Sequence, residues 1–460
     1  MRNSRWALLG LILFVAGGAL PALAQDATPV APVDAPTAAP AAPTVNTGDT
    51  AWVLASTALV MLMTAPGLAL FYGGLVGQKN LLSTLMHSFF LVCLISVQWV
   101  LFGYSLAFGS GGIVGGTDFL LFGGVGQGPH SFYGPTVPHM AFAIYQCMFA
   151  VITPALISGA IAERMRFSAY VLFTLLWATL VYDPLAHWVW AADGWLLKLP
   201  ALDFAGGTVV HVSSGVSALV ACLMLGKRTG YPKRAFPPHS ITFTLVGGAL
   251  LWFGWFGFNA GSALGANGLA AQAFVNTNTA AATTGLTWAL IEWVLRGKPT
   301  VLGTVTGAVA GLVAITPAAG FVTVSSSILI GLGCAVVCYL GLNVLKPRLG
   351  YDDALDVFGV HGLGGTWGAL ATGLFATKAV NAAGADGLFY GNPAQLLNQV
   401  KGVGASWILA IVGTFVILKV VSLLTPLRVA EEDEMAGLDL ALHGEVAYNP
   451  VAQGSAAHPH

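Results

Sequence analysis

Charge is what this sequence lacks most. Charged residues make up 8% of its 460 residues, against roughly 25% in soluble domains. So little charge cannot cover a water-facing surface, which excludes soluble α/β enzymes, nucleic-acid binders and disordered chains. The formal net charge of -1 offers no basic excess to a nucleic acid. Cysteine is scarce too. Cys93, Cys147, Cys222, Cys334 and Cys338 all sit inside apolar runs, with neither zinc spacing nor a disulfide framework, and read as buried small hydrophobes. Apolar residues are abundant instead: 56% of the chain, with a mean hydropathy of +0.78. Glycine reaches 58 residues, and in membranes it lets helices approach closely. The fold class is an all-α polytopic membrane protein.

The N-terminus reads as a secretory signal peptide over residues 1–24. Arg2 and Arg5 precede a short apolar run that ends at Ala22-Leu23-Ala24. A first transmembrane helix is the alternative, but the run is short and Pro21 closes it. Residues 25–48 are rich in Ala, Pro and Thr and read as a flexible exported tail. The transmembrane domain then covers 49–426, and residues 427–460 form a cytoplasmic tail.

Apolar runs of spanning length, about 20 residues, recur at 51–73, 82–108, 138–161, 167–190, 206–225, 238–260, 268–295, 299–317, 322–345, 354–375 and 402–425. Charge orients these eleven spans. With the N-terminus outside, the internal loops carry Lys79, Arg164, Arg166, Lys227, Arg228, Lys233, Arg234, Arg296, Lys298, Lys346, Arg348 and Arg428. The external side holds only Lys198, Lys378 and Lys401. The positive-inside rule therefore agrees with the signal peptide and places the C-terminus in the cytoplasm. This is the pattern of a multi-pass protein of a cell inner membrane.

Asp203 precedes His211 by the same interval that separates Asp353 from His361. The two histidines lie in Gly-rich spans five and ten, which cross in opposite directions. Two inverted five-helix halves plus a C-terminal helix is a transporter plan, with its site near the midplane. An ionisable residue inside a span is a functional candidate by default. The plain alternative is a core histidine bonded to a carbonyl. Bis-histidine haem ligation is another, although only two deep histidines are present. Asp203 either attracts a cation or caps its helix by accepting from Gly206 and Gly207, and the cap is favoured. Asp353 and Asp356 read as caps, Glu292 with Arg296 as an ion pair, and Asp183-Pro184 as the end or bend of span four. Phe149, Trp190, Trp255 and Phe258 offer aromatic faces that hold a cation. The alternative is an interfacial belt, which suits Trp188 and Trp195.

These strings make the sequence resemble the Amt/Mep/Rh ammonium transporters, bacterial Amt branch. The matching segments are Phe71 to Leu75, Ala162 to Ser168, Asp203 to His211, Gly254 to Ser262 and Asp356 to Gly362, within about residues 50 to 449. The resemblance implies a homotrimer with one pore per subunit and no enzymatic, cofactor or metal chemistry. It implies an outer ammonium site of Phe149, Trp190 and Ser262, with Phe149 and Phe258 stacked as a gate. It makes His211 and His361 twin pore histidines, Trp255 pore wall, Thr316 a pore-facing residue and Asp203 a structural aspartate near the outer site. The function expected is an ammonium transporter or channel that deprotonates its substrate and conducts ammonia through an apolar pore. A membrane ammonium sensor of the same fold is the alternative.

After the last span come Glu431-Glu432-Asp433-Glu434, Gly437-Leu438-Asp439, His443-Gly444-Glu445 and Tyr448-Asn449. The plain reading is a solvated acidic tail. The resemblance implies instead a segment packed beneath the trimer that supports docking of a PII-type signalling protein.

Overall fold

The computed structural model describes residues 43–448. The expected signal peptide, residues 25–42 of the exported tail and residues 449–460 lie outside the described residues. Within them the chain is a helical bundle, and its sheet is a single two-stranded hairpin, Pro129–His130 with Gly134–Pro138.

Eight helical segments are long and apolar enough to cross a membrane. In chain order they are α1 (Thr47–Leu75), α2 (Gln78–Phe108), α3 (His139–Ile161), α4 (Phe167–Lys198), α5 (Gly207–Leu225), α6 (Ile241–Ala263), α9 (Val324–Leu349) and α11 (Pro393–Leu424). Three more fill the remaining expected spans: α7 (Gly268–Arg296), α8 (Val301–Ile315) and α10 (358–375). Asn46 caps α1 by accepting from the Asp49 N–H at 3.0 Å, so the helix begins at Thr47, just ahead of the expected boundary. α11 also begins earlier than its apolar run. Gln395 and Gln399 extend it by bonding the Pro200 carbonyl at 2.9 Å and the Leu202 carbonyl at 2.7 Å. These polar residues depress the local hydropathy but are satisfied on the protein side. On the rest of α11, Ile408, Phe415, Val416 and Leu423 stay exposed, as a lipid-facing helix allows. α3 is the opposite case: Cys147 to Ile161 are buried without a break, so it is the central helix.

α5 and α10 cross at the middle of the bundle, each starting with a π-helical turn, Gly207–Val212 and Phe358–Gly362. π-turns of this kind are frequent at functional sites. The two halves also repeat one hydrogen bond. Asp203 accepts from the N–H of Thr208, five residues on, at 2.7 Å. Asp353 accepts from the N–H of Phe358, also five on, at 2.8 Å. Asp203 and Asp353 are therefore helix caps, as expected. Asp356 is not: it adopts φ 63° and pairs with Lys346. One helical turn after each histidine stands a glycine. A Cβ on Gly215 would meet the backbone of Gly362, and one on Gly365 would lie 3.0 Å from His211 Cβ. These two glycines let the helices cross where the histidines sit.

Candidate functional site

Loops and helix ends at the Trp190 end of the bundle enclose a cavity of about 140 Å³ lined by Phe149, Trp190 and Ser262. This aromatic face brings together all three residues expected at the capture site. Trp190 is held by its indole N–H, which donates to the Asp203 carbonyl at 3.1 Å. The Asp203 carboxylate accepts from the Gly206 N–H at 2.8 Å, the Gly207 N–H at 2.6 Å, the Thr208 N–H and the Val209 N–H at 3.2 Å, and also from the Thr208 hydroxyl. Its oxygens are thus occupied by helix donors, so its part is structural. The Ser262 hydroxyl donates to the Phe258 carbonyl at 2.9 Å and touches the Tyr145 hydroxyl at 3.1 Å.

Several cavity residues were not anticipated: Tyr133, Gln146 and Phe204 line it too, and Tyr145 braces it. Tyr145 lies one helical turn before Phe149, with ring centroids 5.0 Å apart, so helical spacing on α3 was the available signal. Tyr133 and Phe204 come from loops, for which no periodicity exists.

Beneath the cavity Phe149 and Phe258 close the way. Their centroids lie 4.3 Å apart at 32°, and both are buried. Trp190 meets the edge of this pair, 6.0 Å from Phe149 at 86°. Past the phenyl rings is a second, very small cavity of about 10 Å³, whose walls include Leu68, Ile152, Leu251, Val309, Trp255 and both histidines. That is about one water-sized sphere.

His211 and His361 face each other there, Nδ1 to Nδ1 at 3.2 Å, with centroids 5.2 Å apart. One of the two Nδ1 atoms must carry the proton for this contact to be a hydrogen bond. His211 stacks on Trp255 at 5.3 Å and on Phe258 at 5.8 Å, which fixes its ring plane. Its Nε2 is buried with no partner among the described residues. The plain alternative, a histidine satisfied by a carbonyl, does not describe this pair.

Thr316 takes a different place from the one expected. Its hydroxyl accepts the Trp255 indole N–H at 2.9 Å and donates to the Leu312 carbonyl at 2.8 Å. It orients Trp255 and is not among the residues lining the small cavity. Two smaller readings gain detail. Asp183 is fully buried and bonded by Gln98 at 2.8 Å; it follows the π-helical turn Ala178–Tyr182, an irregularity inside a span that runs on to Trp190. Glu292 pairs with Arg296 at 3.4 Å, as expected, and also takes two shorter bonds, both 2.8 Å, from Thr300 at the start of α8. All five cysteines are free thiols.

The opposite end of the bundle carries the basic loops and the tail. Arg228 is buried between Glu163 at 2.6 Å and Asp352 at 2.8 Å. Burial pushes both carboxyls up, but Arg228 outweighs it and holds them below their usual range. The tail is not loose. Val429 N–H donates to the Arg164 carbonyl at 3.1 Å, Leu438 N–H to Asn80 at 2.8 Å, and Ser83 N–H to Asp439 at 2.8 Å. Leu438 is fully buried. The tail therefore folds back onto the basic face through Val429, Glu434, Leu438 and Asp439, while Glu431 and Glu432 of the acidic run stay exposed.

Comparison with known proteins places this geometry. The model of the Ammonium Transporter Family matches residues 51–448. The chain is 57% identical over 402 residues to an ammonium transporter of Bacillus subtilis (strain 168), covering 87% of this chain and 98% of that one. It is 47% identical over 407 residues to ammonium transporter Amt1 of Archaeoglobus fulgidus, covering 88% and 100%. Among solved structures, Candida albicans Mep2 superposes with a TM-score of 0.80 at 38% identity, over 88% of this chain and 90% of that one. A sensor Amt protein superposes with 0.78 at 28% identity, over 86% and 98%.

Proposed function

We propose that this chain, which belongs to the ammonium transporter family, takes ammonium at the Phe149, Trp190 and Ser262 cavity and passes it as ammonia along the twin histidines. The aromatic faces hold the cation by about 0.5–2 kcal/mol, and the Ser262 oxygen accepts one of its protons. Beyond the Phe149–Phe258 pair the walls are apolar, and an unpaired charge there is costly. Giving up a proton removes that cost. Neutral ammonia then needs hydrogen-bond partners, and two neutral imidazoles offer both donor and acceptor nitrogens. Potassium has no proton to lose and is rejected at the same step.

The observation that carries this reading is the His211–His361 contact directly beneath the phenyl stack, beside a space of about 10 Å³. The aromatic face is read as external and the basic face as cytoplasmic, from the positive-inside rule. The working unit is a homotrimer in the cell inner membrane, with the docked tail supporting a PII-type partner. The test is ammonium uptake or current in proteoliposomes, with potassium as competitor. Flux that saturates with ammonium and ignores potassium supports the reading. Equal permeability to both ions overturns it. A sensor with the same fold rests on the likeness at 28% identity, well below the 57% to a transporter. Absence of any flux, with retained ammonium binding, would favour it.

A further inference from the structure

One unassigned feature of the basic face is a cavity of about 440 Å³, within the range of about 300–1,000 Å³ typical of small-molecule sites. It lies between the Gly77–Asn80 turn, the loop from Arg228 to His239 and the tail residues Glu434 and Met435. Transport as proposed above makes no use of it.

Its acids are already consumed. Glu163 accepts from Gly77 N–H at 2.8 Å, Asn80 at 2.9 Å and Arg228 at 2.6 Å. Glu434 accepts from Thr229 N–H at 2.6 Å and Arg428 at 2.6 Å. Its cations are not all matched. Lys79 Nζ donates to the backbone carbonyls of Glu434, at 2.9 Å, and of Met435, which leaves one of its three protons unused. Arg234 reaches Met435 Sδ at 3.6 Å and the Phe236 ring at 5.8 Å. Among the described residues neither cation forms an ion pair. Two like charges facing one cavity raise its affinity for an anion. The Arg fork and the Lys point charge suit an oxyanion head. Beside them Phe236, Pro237 and Pro238 make an apolar wall.

We propose that this cavity binds a small organic anion, its phosphate or carboxylate head bridging Lys79 and Arg234 and its apolar body lying on Phe236 to Pro238. Because Glu434 and Met435 form one wall, an occupied site holds the tail in its docked position. The cavity thus couples a soluble anion to the segment that covers the basic face.

The test uses full-length purified protein, with phenyl phosphate and benzoate as probes, titrated calorimetrically. The expected result is saturable binding of one probe, which identifies the head group. Affinity should fall by about tenfold, one charge-assisted hydrogen bond, in Arg234→Ala and in the length-preserving Arg234→Gln. It should be unchanged in Lys378→Ala, outside the cavity. Hydrogen exchange over residues 431–443 should slow on binding. Saturable binding of neither probe, or equal binding by both Arg234 variants and the original protein, overturns the site. Unchanged exchange in the tail overturns the coupling. Ammonium flux without added anion is expected in every case, so failure here leaves the transport reading intact.

Discussion

His211 and His361 meet Nδ1 to Nδ1 at 3.2 Å although 150 residues separate them. A bond of this kind ties the two halves together at their crossing and gives the pair a single shared proton between facing nitrogens. The Nε2 of His211 is left buried without a partner among the described residues.

In the function proposed above, replacing His361 by Ala removes one of two partners for ammonia beneath the phenyl stack. One hydrogen bond at about 1–1.5 kcal/mol corresponds to roughly a tenfold loss of flux, with expression and assembly unchanged. Selectivity for ammonium over potassium should fall as well. Proteoliposome currents check both, and normal selective flux would sink the relay.

Trp190→Leu removes an aromatic face from the capture cavity. A cation–π contribution of about 0.5–2 kcal/mol predicts a half-saturation concentration raised roughly two- to thirtyfold. The maximal rate should persist, because the histidines are untouched. An unchanged half-saturation with a lower maximal rate would move Trp190 from binding to scaffolding.

Gly215→Ala places a methyl group against the Gly362 backbone at the crossing of α5 and α10. Overpacking of this kind costs about 1–3 kcal/mol and pushes His361 away from His211. Lower thermal stability together with lost flux is expected. A variant with the original stability and flux would show that the helices can separate without cost.

The buried Arg228 network sets a pH dependence at the basic face. Glu163 and Asp352 are held below their ordinary values, so their contribution is present above the unfolded carboxylate value of about 4. It is lost as pH falls through the lower folded values. Melting temperature should therefore hold steady down to about pH 5 and drop in stronger acid. Arg228→Met leaves two buried carboxylates unpaired and should cost about 3–5 kcal/mol at neutral pH. Burial is then opposed more weakly, by the Gly77 and Asn80 bonds to Glu163 and by Arg164 beside Asp352, so acidification should narrow the gap to the original protein. Parallel melting curves across pH would contradict the network.

Truncation after Arg428 removes the segment held by Asn80 and Ser83. The trimer should still assemble, while capture of a PII-type protein on membranes is lost. Equal recovery with full-length and truncated protein would take the tail out of the regulatory account.

The sequence determined by itself what depends on a solvent preference and a period. Scarce charge and recurring apolar runs required a polytopic helical bundle. The matched Asp203–His211 and Asp353–His361 intervals located its symmetric centre. The strings around Phe149, Trp190, Phe258 and Ser262 were legible as one site through resemblance, since α3, α4 and α6 are distant in sequence. Tertiary structure decided what depends on long-range placement. Thr316 turned out to hold Trp255, because its hydroxyl accepts from the indole N–H across from it. Asp356 left its expected cap for Lys346 because its backbone turns to φ 63°. The tail became a docked element because its partners lie far away in the chain, Asn80 and Ser83 in the first turns of α2 and Arg164 and Thr229 in loops. A charge run states only that a segment needs water or counter-charges. Which of the two it finds is settled by where the fold puts the opposite charges.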